Sequence, residues 1–111
     1  PALTHAHLDA AGCARDTPVG GTEGGRVFTR AILDNAAHFD VAAARADNIQ
    51  AARDLVGRHP EVGAIVLECT NMAPYAADVA AATGLPVYSI VSFVNWFQAG
   101  LAPGRFPAPA T

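Results

Sequence analysis

The stretch Glu68-Cys69-Thr70-Asn71 concentrates the reactive side chains of this sequence. A cysteine moves protons or attacks carbon as its thiolate. The free N–H groups and partial positive charge of a helix N-terminus stabilise that anion. Thr70 and Asn71 carry short polar groups that, together with such N–H groups, can hold a carboxylate. The chemistry on offer is acid–base work by Cys69 on a small carboxylate bound by Thr70 and Asn71. The same residues also read as a small apolar Cys and an Asn that caps a helix. Residue types alone leave both readings open.

Other groups carry less. The loop from Gly20 to Gly25 resembles a phosphate cradle, but it has no Lys and does not match dinucleotide spacing; it reads better as a flexible connection. His5 and His7 are two apart, so on a helix they face different sides, and no carboxylate stands at ligand spacing. No metal site is expected. His38 and His59 read as surface residues near helix ends, and Glu61 and Asp78 as solvated charges. Cys13 has no activating neighbour. With no C-x-x-C and no zinc-like spacing, both cysteines read as thiols of a cytoplasmic protein.

Composition narrows the classes. The chain has 111 residues, 51% hydrophobic and 15% charged, with a formal net charge of −3. That suits one folded domain and excludes a disordered chain. It is not basic enough for a nucleic-acid partner reached through phosphates. No apolar run is long enough to span a membrane. All seven basic residues are Arg. Without Lys, the chain can supply neither a pyridoxal Schiff base nor a Walker A lysine. The first residue is not Met and no signal-peptide layout follows, which reads as processing or truncation.

The elements that position Cys69 are marked by Gly, Pro and β-branched runs in an Ala-rich background. Thr4 caps a short helix through Ala10, closed by Gly12. Val19 reads as a short strand. Phe28, Ala31, Ile32 and Phe39 recur at helical spacing, as do Val41, Ala44, Ile49, Ala52 and Val56, with a break near Asp40. Val62 to Glu68 reads as a buried parallel strand. A helix follows over Tyr75 to Thr83, with Pro74 in its first turn and Gly84 as its stop. Pro86 opens a strand over Val87 to Val91, and Ser92 caps a last helix, Phe93 to Leu101. Residues 1–101 thus read as an α/β domain with a parallel sheet flanked by helices, and 102–111 as a loose Pro/Ala-rich tail. Phe93, Val94, Trp96, Phe97 and Leu101 leave the last helix apolar nearly all round. It is either buried or docked on something outside this chain.

Residues 63–75, centred on Glu68-Cys69-Thr70-Asn71-Met72, and residues 82–89 resemble the aspartate/glutamate racemase superfamily. The similarity runs from about Leu3 to Leu101, and Ala73 departs from the family's Pro-Pro-Tyr. The resemblance implies one Rossmann-like half, the C-terminal one, of a cofactor-independent isomerase. By that resemblance Cys69 is the catalytic thiol that removes or returns a proton at the carbon α to a carboxylate. Thr70 and Asn71 would help to bind that carboxylate, and no cofactor is needed. The opposing thiol belongs to an N-terminal half that is not here, and Cys13 does not match it. A second copy of the chain in a homo-oligomer is the other source. Two alternatives stand beside racemisation: a single-Cys decarboxylase or isomerase of malonates and small diacids, and a truncated, non-catalytic half-domain.

Overall fold

Alanine-rich segments with clear caps dominate the chain, and the computed structural model, which describes residues 3–110, is accordingly mostly helical. Helix α1 (His5–Ala10) starts at Thr4, whose backbone N–H donates to His7 Nδ1 at 3.0 Å. Helix α2 (Phe28–Leu33) is separated from α3 (Val41–Arg58) at Asp40, whose side chain accepts the Ala43 N–H at 3.1 Å. Strand β1 (Ile65–Val66) leads through residues 67–69 into a 3-10 helix, Thr70–Tyr75, which continues as α4 (Ala76–Thr83). Gly84 ends α4 in the left-handed region, φ 71°, where a side chain would be strained. Strand β2 (Val87–Tyr88) and helix α5 (Ile90–Leu101) complete the order.

The expected α/β half with a parallel sheet flanked by helices is corrected here. Two strands pair in parallel, Ile65 with Val87 and Val66 with Tyr88, and this is the whole sheet among the described residues. A Rossmann-like half needs several long strands. Here only two residues of the Val62 to Glu68 run, and two of the Val87 to Val91 run, find a ladder partner. A short apolar β-branched run has no periodicity of its own to mark where pairing stops. Val19 forms no strand, and Ser89 rather than Ser92 caps α5. Ser92 instead reaches back: its Oγ accepts the Ser89 N–H and donates to the Ser89 carbonyl, both at 2.9 Å. That closure turns Ile90 and Val91 into helix.

Two apolar clusters hold the elements. Phe28, Ala44 and Tyr75 join α2, α3 and the 3-10 helix, with the Phe28 and Tyr75 rings edge to face at 5.9 Å. Ala52, Ile65 and Val79 join α3, β1 and α4, with Val87 and Leu85 packed against them. One face of the sheet is therefore covered. The other is open: Val66 is 74% exposed, and no residue of α5 is buried. A parallel strand buried on both faces, the sequence expectation, is not what forms. Among the described residues no helix is long and apolar enough to cross a membrane. Residues 103–110 carry no regular secondary structure; Pro1, Ala2 and the last tail residue, Thr111, lie outside the described residues.

Candidate functional site

Cys69 sits at the junction between β1 and the 3-10 helix, in extended backbone (φ −88°, ψ 132°), as the residue that caps that helix. The change from a paired strand to a 3-10 turn closed by Pro74 and Tyr75 fixes its position. Its carbonyl accepts the Met72 N–H at 3.0 Å. The thiol is half-buried, and both cysteines are free. Thr70 and Asn71 follow as the first two residues of the 3-10 helix, and both are exposed.

The three residues singled out in the sequence are thus contiguous at the rim where β1 passes into the 3-10 helix. Asn71 does not cap the helix. Its Nδ2 donates to Cys69 Sγ at 3.8 Å, so the amide stands over the sulfur. The arrangement is a half-buried thiol with an exposed amide 3.8 Å from its sulfur and the exposed Thr70 between them in sequence. Cys13 lies in the exposed loop after α1 and takes no part in this cluster.

A broad groove begins one residue before the thiol. It lies between the open sheet face and α5 and is lined by Val66, Glu68, Tyr88, Ile90, Phe93 and Trp96 among others, with a volume of about 620 Å³. The apolar last helix therefore forms one wall of a concavity beside Cys69, where the sequence left only the choice between core and docking face.

The Gly-rich loop has a structural explanation instead of a ligand. Asp47 of α3 is buried, and its carboxylate accepts the N–H groups of Arg26, Val27 and Phe28 at 2.8, 2.7 and 2.8 Å. Burial alone would raise its pKa. The N–H donors of Val27, Arg26 and Phe28, with the Arg26 charge, outweigh burial and hold the carboxyl below its usual value. A Cβ on Gly25 would stand 2.5 Å from Asp47 Cγ, so glycine is needed for that approach. Thr22 is buried and shares a 2.6 Å hydrogen bond with Thr29. The stretch read as a flexible connection is an anchored turn. Asp47 was not anticipated, because its partners lie about twenty residues away in sequence. Asp78, read as a solvated charge, pairs with Arg45 across α3 and α4 at 3.1 Å.

Similarity to known proteins bears on the reaction. A protein from Durusdinium sp. clade D named dimethylsulfoniopropionate lyase is 40% identical over 52 residues, 47% of this chain and 17% of that protein. Dimethylsulfoniopropionate lyase 7 of Emiliania huxleyi (strain CCMP1516) is 32% identical over 71 residues, 60% of this chain and 21% of that protein. The chain spans about a fifth of the length of these two relatives. No family model matches the chain, and no solved structure does. These names correct the expectation drawn from the racemase resemblance. The relatives are lyases, which break a bond by elimination, and not isomerases. Decarboxylation of malonates and isomerisation of diacids fit those names poorly as well. A thiol beside short polar side chains suits several reactions on carbon acids, and it does not by itself encode which bond breaks.

Proposed function

We propose that this chain is the part of a lyase that carries the catalytic base, and that the substrate is dimethylsulfoniopropionate or a close sulfonium carboxylate. The similarity to two proteins named for that activity carries the reading. The geometry around Cys69 supports it. Dimethylsulfoniopropionate has a carboxylate, an α-carbon bearing protons, and a sulfonium on the β-carbon. The Cys69 thiolate takes one α-proton, the C–H electron pair becomes the Cα–Cβ double bond, and the Cβ–S bond breaks with its electrons. Neutral dimethyl sulfide and acrylate result, and the proton remains on Cys69 until solvent removes it.

Each residue of the rim then has a task. Thr70 and Asn71 hold the carboxylate, which places the α-carbon near sulfur and stabilises charge that builds toward the carboxylate in the transition state. Asn71 also donates to Sγ at 3.8 Å, which ties its amide to the thiol. One thiol suffices, because elimination returns no proton to the opposite face. No second cysteine and no cofactor enter the step. The substrate is a small molecule, and the reading calls on neither nucleic acid nor membrane. Both cysteines as free thiols fit a reducing, cytoplasmic setting.

The test is product analysis by proton NMR on the polypeptide that carries this sequence, incubated with dimethylsulfoniopropionate. Dimethyl sulfide and acrylate in equal amounts support the reading. Substrate left intact, or 3-hydroxypropionate in place of acrylate, contradicts it.

A further inference from the structure

The groove next to Cys69 has a wall composition that proton abstraction does not explain. Tyr88, Phe93 and Trp96 line it and are 54%, 59% and 73% exposed, so their rings stand open. The Phe93 and Trp96 centroids lie 6.4 Å apart with planes tilted by 40°. Glu68 is the one charged residue in the lining, and among the described residues it has no ion-pair partner.

This combination selects by charge. The π faces of aromatic rings attract cations, most strongly weakly hydrated methylated ones. A carboxylate on the rim adds to that attraction and repels anions. A polypeptide laid over the groove would bury Glu68 without a partner, which is costly. A metal ion would find a single carboxylate, and the described residues contain no group of three or more His, Cys, Asp or Glu able to hold one.

We infer that the groove is a binding site for a small methylated onium group, a sulfonium or quaternary ammonium, held by Tyr88, Phe93, Trp96 and the Glu68 carboxylate. Resting on the lyase reading, the site deepens it: the sulfonium end of the substrate occupies the groove and the carboxylate end reaches Thr70 and Asn71. Glu68 directly precedes Cys69, so the two ends meet at the thiol.

Trp96 is the single tryptophan of the chain, and its emission reports on the groove. The experiment titrates the chain with trimethylsulfonium chloride at constant ionic strength, and with neutral 3,3-dimethylbutan-1-ol as a shape control. A saturable change with the cation and little response to the alcohol are expected. Glu68→Gln should weaken the cation about two- to fivefold, and Phe93→Leu, which keeps an apolar wall but removes a ring, should do the same. Circular dichroism of both variants checks that they are folded. Equal response to alcohol and cation would make the groove a plain apolar docking face and overturn the site. Absence of saturation would overturn it too. Dimethyl sulfide release without trimethylsulfonium binding defeats the groove and leaves the lyase reading standing. Binding without release does the reverse.

Discussion

Asp47, in the second turn of α3, accepts the backbone N–H of Phe28 at 2.8 Å and so ties the start of α2 to the N-terminal half of the longest helix. The same carboxylate holds Arg26 and Val27. One buried side chain thereby satisfies the N–H groups of Val27 and Phe28, which the helix start leaves without intrahelical partners, and that of Arg26 just before it. Phe28, the last of the three, carries its ring into the cluster with Tyr75, which ends the 3-10 helix opened by Cys69.

Removing that carboxylate should be costly. Asp47→Ala leaves buried donors unpaired and is expected to destabilise the protein by about 2–4 kcal/mol. Asp47→Asn, which keeps one acceptor oxygen, should cost less. Urea unfolding of the three proteins at neutral pH measures both. A midpoint for Asp47→Ala that equals the wild type would remove Asp47 from this role.

The same group sets a pH dependence. Its native pKa lies below the ordinary 3.8, so the unfolded chain binds the proton more readily. The stabilisation is complete above the unfolded value and disappears as pH falls through the native one. Wild type should therefore lose more of its urea midpoint between pH 6 and pH 3 than Asp47→Asn does. Parallel losses in the two proteins would contradict the depressed pKa.

Gly25→Ala tests the close approach. The new Cβ would meet Asp47 Cγ at 2.5 Å, inside any real contact distance, so the turn or α3 must shift. A loss of about 1–3 kcal/mol is expected. Alanine at Gly24, where a Cβ meets nothing within 4 Å, is the control and should unfold near the wild-type midpoint.

Asn71→Ala should act on substrate and not on folding, since the side chain is exposed. Loss of a hydrogen bond to a charged carboxylate is worth about 1.5–3 kcal/mol, which is about ten- to a hundredfold in kcat/KM. Initial rates of dimethyl sulfide release would show it. An unchanged kcat/KM would take Asn71 out of the site.

What the sequence made legible was local. Thr4, Asp40 and Gly84 mark helix ends because capping and left-handed geometry depend on one residue and its near neighbours. The rim at Cys69, Thr70 and Asn71 was visible for the same reason: three consecutive residues cannot be far apart. The extent of the sheet was not visible. Whether Leu67 and Glu68 pair depends on a partner strand about two dozen residues away, and that strand ends where Ser89 and Ser92 close on each other. Asp47 was hidden by its long-range partners. The reaction class was hidden because a thiol base serves racemisation and elimination alike. The bond that breaks is decided by what stands on the substrate's β-carbon, on which those three residues carry no mark.

Dimethyl sulfide release, followed by headspace gas chromatography, should be compared between wild type, Cys69→Ser and Cys13→Ser in the polypeptide that carries this sequence. Loss of the thiolate base should lower the rate about 10²- to 10⁴-fold in Cys69→Ser, with the folded state retained. Cys13→Ser, altered in an exposed loop away from the rim, should keep the wild-type rate. A Cys69→Ser protein that releases dimethyl sulfide at the wild-type rate would show that the proton is taken by another group.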